Sequence, residues 1–143
     1  MQRFRVITAT LGLAVLLGAS GCITMPGSAG AKVHEVTFTA METEIVVDGN
    51  GTKYKAWTFN GQMPGPVVRV TEGDTVNFTL IGDKNNSFPH SMDFHAAELD
   101  FLKNYHKTVS AGETHKYSFV AKKPGVFFYH CGASPMIQHV ARG

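Results

Sequence analysis

The feature that most constrains this chain is Val126-Phe127-Phe128-Tyr129-His130-Cys131, an apolar and aromatic stretch that ends in two metal-ligand residues and runs into a loop closing at His139. It reads as a buried core strand. Side chains alternate faces along a strand, so His130 and Cys131 point in opposite directions and do not readily share one metal ion. The parity implies two sites joined by a single peptide bond.

The rest of the chain supports a fold made of strands. From Val33 onward, short alternating segments are separated by turn residues, and no helical period of any length stands out. Val36 and Phe38 alternate with Glu35, Thr37 and Thr39. Asp48-Gly49-Asn50-Gly51 is a hairpin turn between Glu44–Val47 and Lys53–Phe59, and Asn60-Gly61 turns the chain again. Pro64-Gly65-Pro66 leads into a strand over Val67–Val70. Val76, Phe78 and Leu80 alternate with Asn77 and Thr79, and Thr114–Val120 forms another strand before Lys123-Pro124-Gly125. Ala96–Lys107 is left open between a short helix and a folded loop. Strands at this spacing predict an all-β, Greek-key β-sandwich.

The N-terminus reads differently. Arg3 and Arg5 precede an apolar run, Val6–Leu17, and Ala19-Ser20-Gly21 stands before Cys22. This is the pattern of an export signal over residues 1–21, and the position of Cys22 is that of an acylated lipoprotein cysteine. Residues 22–32 then form a flexible tether and residues 33–143 the domain. The expected location is exported, periplasmic or cell-envelope, with a lipid anchor. With Cys22 acylated, Cys131 is the remaining thiol, and metal ligation accounts for an unpaired cysteine in an oxidising compartment. Scattered basic residues and a formal net charge of +2 give no footprint for nucleic acid.

The chain has seven histidines, and parity sorts the informative ones. His90 and His95 are an odd number of residues apart and face opposite ways if the segment is extended. His90 then falls with Cys131, and His95 with His130 and Asp93. His139 returns after a loop to join Cys131. Two imidazoles and a thiolate form the ligand set of a blue-copper electron-transfer site, whereas His95 and His130 make an imidazole site open to water or an oxyanion. Structural zinc fits less well, since it wants four closed ligands. His34, His106 and His115 read as surface histidines, and Met63, Met92 and Met136 as packing residues.

These residues resemble a known family. Phe59-Asn60-Gly61 with Pro64-Gly65-Pro66, His90-Ser91-Met92-Asp93-Phe94-His95-Ala96-Ala97, and Lys123 through Cys131 with His139 are similar to the first cupredoxin domain of copper nitrite reductases and the related two-domain multicopper oxidases. The resemblance implies a cupredoxin-like sandwich, short here of its last strand and of an axial methionine. It implies type 1 copper at His90, Cys131 and His139, type 2 copper at His95 and His130, and Asp93 as the catalytic aspartate. The activity implied is reduction of nitrite to nitric oxide with an electron-donor protein. The full-length form would be a homotrimer whose neighbouring subunit supplies the third type 2 histidine, so the chain alone is expected to be inactive. A laccase-like two-domain oxidase using oxygen and a single-domain electron carrier are the alternatives. Glu98–Thr108 departs from the glycine-rich sequence of the nitrite reductases there.

Overall fold

The computed structural model describes residues 30–98 and 107–143. The expected export signal, Cys22, most of the expected tether, and His106 lie outside the described residues.

Two sheets enclose the core. The first contains β1 (Val33–Val46), β2 (Lys53–Phe59), β3 (Thr75–Gly82) and β5 (Thr114–Val120), in the order β2-β1-β3-β5. The second pairs β4 (Asp93–Phe94) with β6 (Tyr129–His130). β1 serves two partners in succession: Val33–Ala40 runs parallel to Thr75–Gly82, and Ala40–Val46 runs antiparallel to Phe59–Lys53. β3 pairs antiparallel with β5. The architecture is the predicted all-β, cupredoxin-like sandwich.

Alternation explains why these segments are strands. In β3, Val76, Phe78 and Leu80 are all buried between less buried neighbours, as a sheet with one covered face requires. Phe38, Phe78 and Leu80 form one cluster with Met92, just before β4, and with Phe94 and Tyr129 of the second sheet. Phe78 and Phe94 cross edge to face at 4.9 Å, and Phe38 lies 5.5 Å from Tyr129, so aromatic rings bridge the two layers.

The predicted turns are built as their residues dictate. Asp48 accepts hydrogen bonds from the amides of Asn50 and Thr52 and from the Thr52 hydroxyl, which closes the β1–β2 hairpin. Asn60 and Gly61 both have positive φ, 57° and 73°, and Asn60 Oδ1 accepts from the Thr39 amide at 2.7 Å.

Three expectations need correction. Val67–Val70 forms no ladder; this segment is tied instead by the Tyr129 hydroxyl donating to the Pro66 carbonyl at 2.7 Å. Val126–Cys131 is not a buried strand along its length. Only Tyr129 and His130 pair, while Val126 and Phe128 are 103% and 82% exposed, because β4 offers a partner only two residues long. Finally, His139 does not close a loop but sits inside α1 (Met136–Arg142), a helix too short to show a hydrophobic period in sequence.

Candidate metal centres

The site residues gather at the β4–β6 pair. In its register Asp93 stands opposite His130, so their side chains share one face, and His95 follows in a 3-10 turn, His95–Ala97. The segment from His90 to His95 is therefore extended only in part, yet the sorting by face agrees with the geometry. Met92, predicted as packing, is buried in the core.

Two donor clusters result: His90, Cys131 and His139 form one, and Asp93, His95 and His130 the other. Within each, one ligand atom per residue lies within 4.8 Å of the others.

The first cluster is enclosed. His90 and His139 are buried, and Cys131 Sγ is 3.2 Å from His139 Nδ1. The sulfur also lies 3.3 Å from the Ser91 amide, which donates to it, and the Ser91 hydroxyl accepts from Gly132 at 2.9 Å. A backbone donor to a thiolate sulfur stabilises its negative charge. Trp57 closes the cluster from the side, its ring 4.5 Å from His139 and 5.3 Å from His90. Burial holds His90 below the ordinary histidine value, against its hydrogen bond to the Glu42 carboxylate, which pulls the other way. Burial and then the neighbouring His90 lower His139. Neutral imidazoles beside a soft sulfur are the form in which these groups bind a metal.

The second cluster is open. His95 is exposed and His130 half-buried, and their Nε2 atoms approach to 3.0 Å. His130 Nδ1 lies 3.1 Å from the Cys131 carbonyl and donates to it, which leaves Nε2 as the lone-pair nitrogen. Asp93 adds a carboxylate to the same face and faces Tyr117, whose phenol is pushed up mainly by burial and then by that negative charge.

The predicted residues thus come together as two clusters back to back. Sequence reasoning missed Ser91, Trp57 and Glu42. Ser91 adjoins His90, which could have marked it, whereas Trp57 and Glu42 lie on other strands and carried no signal. Of the histidines read as surface residues, His34 has a partner: its Nε2 is 2.7 Å from the buried Asp74 carboxylate. His115 borders a shallow surface cavity, and burial, then Lys107, lower it.

Comparison with known proteins identifies the family. The sequence model of the multicopper oxidase family matches residues 40–143. A copper-containing nitrite reductase of Rhizobium sullae is 40% identical over 121 residues, which cover 84% of this chain and 32% of that protein. The chain therefore spans about a third of the length of that curated relative. Among solved structures, a copper nitrite reductase of Nitrosomonas europaea is 60% identical with a TM-score of 0.74, over 78% of this chain and 39% of that one. A blue copper oxidase from Nitrosomonas europaea is 26% identical with a TM-score of 0.64, over 78% and 36%. Matched in sequence over most of its length and in fold by copper enzymes of both kinds, the chain belongs to the multicopper oxidase family.

Proposed function

We propose that this chain is the cupredoxin domain of a copper nitrite reductase, which moves electrons from a thiolate-bound copper to a copper that binds nitrite. The observation that carries this reading is the pair of donor clusters to which the adjacent residues His130 and Cys131 each give one ligand. His90, Cys131 and His139 would hold type 1 copper, and His95 and His130 would contribute to type 2 copper. Bound copper would supply one-electron chemistry at the first cluster and a Lewis-acidic, substrate-binding position at the second.

The chain's own residues supply the rest. Cys131 and His130 give a short covalent path between the clusters. Asp93, on the open cluster's face, can hydrogen-bond a bound anion when protonated and pass it a proton. Two histidines and one carboxylate leave that cluster short of a third imidazole, which a neighbouring subunit of a homotrimer would provide. Export behind residues 1–21 and acylation at Cys22 would place the enzyme at the cell envelope, where an electron-donor protein could reach it. An oxygen-using oxidase is the second reading, favoured by the likeness to a blue copper oxidase.

The test is a copper titration followed by turnover of the full-length assembly. Two coppers per chain, one with an intense visible band, and nitric oxide formed from nitrite are expected. Asp93→Asn should lower nitrite turnover about a hundredfold or more while leaving the visible band unchanged. Consumption of oxygen without reduction of nitrite would establish the oxidase reading instead.

A further inference from the structure

β1 passes beside the loop that carries His90, and Glu42 turns toward that loop. Glu42 Oε1 accepts hydrogen bonds from the Ser87 and Phe88 amides at 2.9 and 2.7 Å, and lies 3.3 Å from His90 Nε2. Asn86 fastens the same junction from the other side, accepting from the Glu42 amide at 3.0 Å and donating to the Ala40 carbonyl at 2.8 Å. The carboxylate is therefore oriented by two amides and largely shielded, with its side chain 16% exposed.

An ionised carboxylate only accepts, so the histidine nitrogen that faces it carries the proton. Nε2–H of His90 then points at Glu42, and Nδ1 keeps its lone pair for the cluster with Cys131 and His139. The other imidazole differs. His139 Nε2 is buried with no hydrogen-bond partner among the described residues. One ligand of this centre has a charged anchor behind it, and the other has none.

We propose that Glu42 is a positioning residue for the Cys131 metal centre: it selects the Nδ1-ligating tautomer of His90, fixes its ring, and sets a negative charge behind it that favours Cu(II) over Cu(I). This rests on the reading of His90, Cys131 and His139 as a copper site. A carboxylate behind a ligating imidazole raises its basicity, and loss of such a partner costs about 10- to 100-fold in metal affinity.

The experiment compares the full chain with Glu42→Gln and Glu42→Asp, each loaded with Cu(II). Glutamine keeps an oxygen for the Ser87 and Phe88 amides and removes the charge. The expected result for Glu42→Gln is an unchanged circular dichroism spectrum, a higher reduction potential, and Cu(II) affinity lower by about 10- to 100-fold, with a smaller loss for Cu(I). Glu42→Asp, which restores the charge, should return the potential toward that of the parent. Unchanged potential and Cu(II) affinity in Glu42→Gln, with only a lowered Tm, would overturn the assignment and leave Glu42 as a loop fastener. If Glu42→Gln does not fold, nitrogen-15 NMR of the parent loaded with Cu(I) decides: a slowly exchanging proton on His90 Nε2 supports the proposal, and an unprotonated Nε2 refutes it. A parent chain that binds Cu(II) without an intense thiolate-to-copper band would bring down the copper reading itself. Failure of the Glu42 assignment alone leaves that band intact.

Discussion

Cys131 receives a backbone amide at its sulfur and stands against an imidazole nitrogen, both within 3.3 Å, in a pocket lined by two buried histidines. A serine there could accept the same amide hydrogen bond but would not give a soft, polarisable ligand. Cys131→Ser is therefore expected to abolish the intense visible band of the copper-loaded chain while changing the circular dichroism spectrum little; absorption spectroscopy checks it. Asp74 works at the opposite end of the same scale, in folding. It accepts from the amides of Lys32 and Thr71 and from His34, and these bonds hold its carboxyl down from 3.8 to about 2. A carboxylate whose folded pKa is depressed adds stability that is fully present above its unfolded value and is lost as pH falls through the folded one. The parent should therefore lose stability between pH 3.8 and about 2, and Asp74→Asn should show a flatter profile across that window and a lower Tm at neutral pH. Acid titration followed by circular dichroism measures both.

At the scale of elements, the load falls on the contact between the two sheets. Phe78 of β3 is 1% exposed and meets Phe38 and Phe94 edge to face at 5.5 and 4.9 Å. Phe78→Ala should cost about 3–5 kcal/mol, because the rings around it cannot close the cavity, and chemical denaturation measures the loss. Tyr129 reaches across the same core and bonds to Pro66, and a Cβ at Gly65 would run into its hydroxyl. These elements differ in how legible they are in the sequence. β1, β3 and β5 announce themselves because one face is covered along their length, which writes a period of two into the residues. The β1–β2 turn and the turn after β2 are legible because Asp48 in the first, and Asn60 and Gly61 in the second, each do something few other residues can. Val126–Phe128 misleads because apolar content says nothing about partners, and β4 pairs with only two residues of that stretch. The ligands could be sorted because parity is local to the chain, and the register of Asp93 with His130 preserves it. Glu42 and Trp57 could not be found that way. Their approach to His90 depends on how β1 and β2 pass the second sheet, a long-range relation that no local pattern encodes.

For the whole molecule, the exposed apolar residues matter as much as the buried ones. Val126 and Phe128 lie on the unpaired segment before β6, and Ile137 and Val140 share a helix face by their spacing, all four being well exposed. Exposed apolar groups that cluster on one element mark contact surfaces more often than scattered single residues do. The prediction separates association from folding. Phe128→Ser and Ile137→Ser together should leave the folded chain within about 0.5 kcal/mol of the parent for each change, since neither side chain contributes to the core. Where copies of the chain associate through these faces, as the proposed homotrimer requires, the double variant should sediment at a lower apparent mass than the parent. An apparent mass unaffected by both substitutions would mean that these faces stay in water.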